Sequence, residues 1–225
     1  MNQQSLSEQA YKIIKHKIVS LELPPGGVIN EQSLREELQL GRTPIREALQ
    51  RLALEDLVHI VPRRGMFVTD ISLTDLQQLF ELRLTLEGLA VRYATRRGQP
   101  GHWQKMAEVL DTMPGATEQV NNEKLINIDR TCHEIIYEAA QNKFLRNQCI
   151  THYALSLRLW YFFLNQIGDM RGAIEEHAHI LNALRDRDEE TAVKLMEQHI
   201  QAFQDEIQST ILGNSATHSG AIRIN

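Results

Sequence analysis

Residues 41–52 read Gly-Arg-Thr-Pro-Ile-Arg-Glu-Ala-Leu-Gln-Arg-Leu, and this run decides the fold of the first third of the chain. Thr43 before Pro44 predicts an N-cap followed by a first-turn proline. Ile45, Ala48, Leu49 and Leu52 then share one face at helical spacing. Upstream, the break at Leu40-Gly41 separates this helix from a short one that Asn30 would cap and that Leu34 and Leu38 would anchor. Further back, Ile13, Ile14, Ile18 and Leu21 mark a helical stripe over 6–21, which Leu23-Pro24-Pro25-Gly26-Gly27 must end. Downstream, the β-prone runs 57–61 and 66–69 are joined by Pro62-Arg63-Arg64-Gly65, the pattern of a short hairpin. Three helices and a basic-tipped hairpin make a winged helix-turn-helix over residues 1–70.

The pattern changes near residue 70 and is helical from there on. Ser72 with Asp75 predicts a capping box. The helix it opens runs past Leu79, Leu82, Leu86 and Leu89 towards Gly98. Further helices are expected over about 100–113, 122–141, 142–168, 170–187 and 188–212. Short loops between long amphipathic helices imply an antiparallel all-helical bundle over 71–212. Residues 213–225 are small and polar and read as a flexible tail. The fold class is therefore mainly α.

Composition narrows the function. No apolar run approaches the ~20 residues of a membrane span. The amino-terminal stretch lacks the apolar core of a secretory signal. Two cysteines cannot build a disulfide framework, so a cytoplasmic protein is expected. The formal charge is -5, from 24 basic and 29 acidic residues. That total does not exclude DNA as a partner. Residues 1–70 hold nine Lys or Arg against nine acids, and the acidic excess belongs to the bundle.

In a winged helix-turn-helix the second helix enters the major groove by its N-terminal residues. Arg42 and Arg46 stand there, and an arginine can grip guanine with both prongs of its guanidinium. Thr43 adds a hydroxyl, and the free N–H groups of the first turn can meet a phosphate. Arg63 and Arg64 tip the wing beside Gly65, where a missing side chain permits close backbone approach.

Gly41 to Leu52, followed by Val61-Pro62-Arg63-Arg64-Gly65, resembles the GntR family of bacterial transcription regulators. The likeness covers about residues 8–70, and its most specific mark is the run Arg42-Thr43-Pro44-Ile45-Arg46-Glu47-Ala48-Leu49. It implies DNA contacts by Arg42, Thr43, Arg46 and Gly65, with Arg64 as an added phosphate contact. Gly41 stands where the family usually has Ser or Thr, which removes one phosphate-binding hydroxyl. Asp56 replaces a common Gly.

The bundle carries a second constellation. Asp129 and His133 are four apart on one helix and point the same way. His177 and His199 lie on two later helices. An Asp with three imidazoles suits a divalent transition metal. The same spacing also describes a surface pair, and convergence of three helices does not follow from sequence. The bundle resembles the FCD ligand-binding domain of FadR-type GntR regulators, through Glu81-Leu82-Arg83 with Glu87, Asp129-x-x-x-His133, Glu176-His177, the 181–188 stretch and His199. That likeness implies Asp129, His133, His177 and His199 as metal ligands, with zinc ahead of nickel or manganese, and a small carboxylate effector beside the ion. Arg83 and Arg158 are the candidates for gripping that carboxylate. His179 points about 200° away from His177, and Cys132 reads as a small core residue.

The expected function is a ligand-responsive transcription regulator, a repressor, acting as a homodimer on a short inverted repeat in double-stranded DNA. Two alternatives stand beside it: a metal-free regulator sensing an acyl-type ligand, and a metal-dependent hydrolase.

Overall fold

The computed structural model describes residues 5–115, 117–119, 121–164, 166 and 168–217. The chain divides into two compact units, Met1–Leu73 with Ala154–Phe162, and Thr74–Tyr153 with Phe163–Asn225.

The first unit is built from α1 (Leu6–Val19), α2 (Glu31–Leu38), α3 (Arg42–Ala53), β1 (Val58–Val61) and β2 (Gly65–Val68). Ser5 caps α1 by accepting from the Glu8 N–H. The helix ends two residues before Leu21, which adopts a left-handed φ of 63°. Asn30 caps α2 through the Ser33 N–H, as expected. The cap of α3 is Gly41 and not Thr43. A capping side chain bonds the second or third helical N–H, and the third position here is Pro44, which has none. A glycine cap therefore forfeits little. Ala10, Ile14, Ile18, Leu34, Ile45, Leu49, Leu52, Leu57, Met66 and Val68 form one core. β1 and β2 pair antiparallel with Val61 opposite Gly65, so the wing turns tightly at Arg63 and Gly65, both at positive φ.

In the second unit follow α4 (Leu73–Arg97), α5 (Pro100–Leu110), α6 (Asn122–Ala139), α7 (Lys143–Phe163), α8 (Arg171–Arg185) and α9 (Glu189–Thr217). Residues 154–162 of α7 are grouped with the winged unit, where Leu155 packs against its core. α7 ends at Phe163, earlier than expected, and α9 continues through Thr217, later than expected. Of the expected tail, residues 218–225 lie outside the described residues. Gly98 joins α4 to α5, where a Cβ would sit 2.1 Å from the Trp103 ring. Only glycine admits that indole. Phe80 meets the edge of Phe203 at 5.3 Å between centroids, joining α4 to α9 in the apolar interior. No described helix is long and apolar enough to cross a membrane.

Leu49 is fully buried at the centre of the winged core. Leu49→Ala is expected to cost about 2–5 kcal/mol, as large-to-small changes at buried leucines do. Chemical denaturation of the full chain measures it, and a loss under about 1 kcal/mol would contradict the packing described.

Candidate metal centre and nucleic-acid interface

The two candidate sites are built on opposite principles. The candidate DNA-reading residues are exposed, and the candidate metal ligands are buried.

α3 buries Ile45, Ala48, Leu49 and Leu52, which turns Arg42, Thr43 and Arg46 to solvent. Its first turn leaves the N–H groups of Arg42 and Thr43 without intrahelical partners, beside a proline that has none to offer. Arg46 Nε lies 3.3 Å from Glu31 on α2, an exposed pair. Arg51, one and a half turns on, is otherwise engaged. It bonds Glu8 at 2.7 Å and lies 3.5 Å over the Tyr11 ring, tying α3 to α1. Tyr11 also donates to Glu55, and Lys15 pairs with the same carboxylate at 2.6 Å. In the wing, Arg63, Arg64 and Gly65 are exposed. Gly65 has φ +113°, a conformation that side chains rarely adopt, and a Cβ there would meet nothing within 4 Å. Backbone conformation rather than crowding calls for glycine at that position.

The helical unit brings together Asp129 and His133 from α6, His177 from α8 and His199 from α9. One ligand atom of each lies within 4.8 Å of the others, and all four residues are buried. Asp129 Oδ1 is 2.8 Å from His177 Nε2 and 3.3 Å from His199 Nε2. His133 Nε2 is 3.3 Å from His199 Nε2. Tyr153 on α7 donates to the other oxygen, Asp129 Oδ2. Around this set, Glu87 on α4 meets His133 Nδ1 at 2.6 Å and receives bonds from Arg83 Nε and the Tyr137 hydroxyl. Glu176 on α8 meets His199 Nδ1 at 2.7 Å. The remaining ring nitrogen, His177 Nδ1, is buried with no hydrogen-bond partner among the described atoms.

The electrostatics favour a cation. Burial alone would raise the Glu87 carboxyl, but the charges of Arg83 and His133 hold it well below the usual range. Asp129 behaves alike: burial is outweighed by His133 and by bonds from His177 and His199. His177 is lowered to about 4, by burial and by the charge of His199. His199 is raised to about 9 against its burial, through bonds to Asp129 and Glu176. Both buried carboxylates are thus held in their anionic form beside the imidazoles.

Three imidazole nitrogens and a carboxylate are the donors of a borderline divalent ion such as zinc. Bonds of about 2.0–2.1 Å hold neighbouring donors roughly 3 Å apart, and the closest pairs here stand at 2.8 and 3.3 Å. The residues fit the ion.

Of the other sequence candidates, Arg83 stands by the cluster and the rest do not. Arg83 is buried beside the cluster, paired to Glu87. Arg158 is buried in the winged unit, where it donates to the Thr69 hydroxyl at 2.9 Å and carbonyl at 2.6 Å. Burial lowers its guanidinium to about 10. His179 is exposed and outside the set. Cys132 is buried, and burial pushes its thiol up, away from thiolate chemistry. The sequence marks Glu176 only as part of the pair Glu176-His177, and singles out neither Tyr137 nor Tyr153. Tyr137 continues the four-residue ladder Asp129, His133, Tyr137, so periodicity carried a signal for it. Tyr153 had none.

Comparison with known proteins agrees with both halves. The model of the gntR family of bacterial regulatory proteins matches residues 6–68, and that of the FCD domain matches 78–202. The Nta operon transcriptional regulator of Aminobacter aminovorans is 31% identical over 197 residues, 87% of this chain and 91% of its own. The transcriptional repressor RspR of Escherichia coli is 23% identical over 212 residues, covering 94% and 93%. Among solved structures, E. coli McbR/YncC superposes with a TM-score of 0.83 at 24% identity, over 92% of this chain and 99% of that one. This last likeness concerns the fold.

Arg83→Leu would leave Glu87 buried without its permanent counter-charge. A broken buried pair costs about 3–5 kcal/mol, and thermal or denaturant unfolding of the metal-free protein is expected to show a loss of that size. An unchanged midpoint would contradict the pairing.

Proposed function

The chain belongs to the GntR family, with an FCD domain behind its winged helix, and we propose that it is a metal-dependent, effector-responsive repressor. It is a DNA-binding transcription regulator by family, and its relatives carry the names of regulators, not of enzymes.

One observation carries the metal reading: four donor atoms from three helices within 4.8 Å in a buried interior. Asp129, His133, His177 and His199 would hold the ion, zinc ahead of nickel or manganese. When bound, it would supply two positive charges and a Lewis-acidic position that an effector can occupy. The chain's own residues hold the centre in shape. Tyr153 donates to Asp129, the histidines turn their Nε2 atoms inward, and all four residues are buried.

The effector we propose is a small carboxylate. Buried Arg83, Glu87 and Asp129 sum to one negative charge, which a divalent ion converts to one positive charge. A site of that charge welcomes an anion. Arg83 contributes to this balance directly, whereas Arg158 is engaged with Thr69 in the winged unit.

On DNA, two copies related by a two-fold axis would read a short inverted repeat. Arg42, Thr43 and Arg46 would address bases and phosphates, with Arg64 and Gly65 of the wing beside them. An effector alters occupancy only through its differential affinity for the two states of the protein.

Two measurements test this reading. Against a duplex selected from a random pool by the wild-type protein, Arg46→Ala is expected to bind about 10–100-fold more weakly at fixed salt, the worth of one two-pronged guanine contact. Equal affinity would remove Arg46 from the interface. Elemental analysis of the His177→Ala/His199→Ala double variant is expected to find no bound transition metal, and full retention would refute the four-residue site.

A further inference from the structure

Each imidazole presents two nitrogens, and a ligand must offer the correct one. What decides this for His133 and His199 lies outside the four donors. Glu87 Oε2 stands 2.6 Å from His133 Nδ1, and Glu176 Oε2 stands 2.7 Å from His199 Nδ1. An ionised carboxylate only accepts hydrogen bonds, so each Nδ1 must carry the hydrogen. In the neutral rings that can ligate an ion, the lone pairs are thereby assigned to the two Nε2 atoms, which face each other at 3.3 Å beside the Asp129 carboxylate. An ion among them would take the place of the hydrogen that His199 Nε2 otherwise shares with Asp129.

We propose that Glu87 and Glu176 are positioning residues of the metal centre, and that Arg83 acts through Glu87 in the same array. This rests on the metal reading above and extends it to residues that touch no ion. The two carboxylates are built differently. Glu87 is buried and held from two further sides by Arg83 Nε and the Tyr137 hydroxyl, each at 2.6 Å. It is the means by which α4, which supplies no ligand, reaches the centre. Glu176 is half-exposed, and within α8 it directly precedes the ligand His177. One turn of α8 therefore supplies a ligand and orients a second ligand on α9. His177 is the internal contrast, since its Nδ1 faces no described partner. Without an ion its Nε2 lies 2.8 Å from Asp129 Oδ1, a contact that ligation through Nε2 would replace.

Loss of such outer carboxylates commonly weakens metal binding about 10–100-fold. The test is zinc affinity of the full chain, measured by competition with a chromophoric chelator. Glu176→Ala is expected to bind zinc roughly 10–100-fold more weakly. Glu176→Gln should recover part of the loss, because its amide oxygen still accepts the Nδ1 hydrogen. Exposed Glu175→Gln, one residue away on α8, should match wild type. Glu87→Gln should fall at least as far as Glu176→Ala. Because Glu176 is half-exposed, its variants can be compared at unchanged near-ultraviolet circular dichroism even if Glu87→Gln fails to fold. In long-range nitrogen–proton spectra of the zinc-loaded protein, His133 and His199 should both carry their hydrogen on Nδ1. Glu176→Ala binding zinc within about twofold of wild type, or an Nε2 hydrogen on His199, overturns the positioning role while leaving the metal site standing. A wild-type protein without zinc affinity overturns both.

Discussion

Asp129 is an ionised carboxylate in the apolar interior of a helical unit, and that one charge constrains everything around it. Removing such a group from water costs several kcal/mol unless partners replace its hydration. The chain meets the cost from four helices. α6 supplies His133, α7 Tyr153, α8 His177 and α9 His199. A second buried carboxylate, Glu87 from α4, faces the back of His133 and carries its own arginine. The interior therefore contains more fixed negative than fixed positive charge, and its geometry gathers lone pairs where a cation would sit. Among the described residues no other set of His, Cys, Asp and Glu side chains converges in this way.

The winged unit solves a different problem, which is to keep some arginines outward while using others as mortar. Arg51 is spent on Glu8 and the Tyr11 ring, within a network that includes Lys15 and Glu55 and joins α1 to α3. Arg42 and Arg46, on the same helix, remain exposed. The distinction follows from helix geometry. Ile45, Ala48, Leu49 and Leu52 fix the buried face, so Arg46 must fall outside it. Local charge, not the net charge of the chain, is what a DNA phosphate meets.

Periodicity made much of this legible. Two stripes, at 45–52 and along 79–89, reported the helices correctly because burying an apolar face is what selects them. The turn at Pro62–Gly65 was equally clear, because proline fixes its own φ and glycine admits the positive φ found at Gly65. Cap assignment at Thr43 failed because the penalty for a weak cap depends on which N–H groups exist, and Pro44 removes one. The four candidate ligands could be named, but their meeting depends on how α6, α8 and α9 pack, which spacing does not encode. Arg83 and Arg158 illustrate the same limit. As isolated letters both suited an effector's carboxylate, yet one is bonded to Glu87 and the other to Thr69. Partners of buried polar groups are set by tertiary packing, and Tyr153 at Asp129 had no signature in the sequence at all.

What occupies the space between the three imidazoles and Asp129 decides whether the helical unit is a metal centre. X-ray absorption at the zinc edge of the zinc-loaded full-length protein addresses it directly. Three imidazole nitrogens with the remaining ligands oxygen, and no sulfur, is the predicted result. A shell containing sulfur, or one with fewer than three imidazoles at full zinc loading, would contradict it, because the ion would then be held elsewhere in the chain.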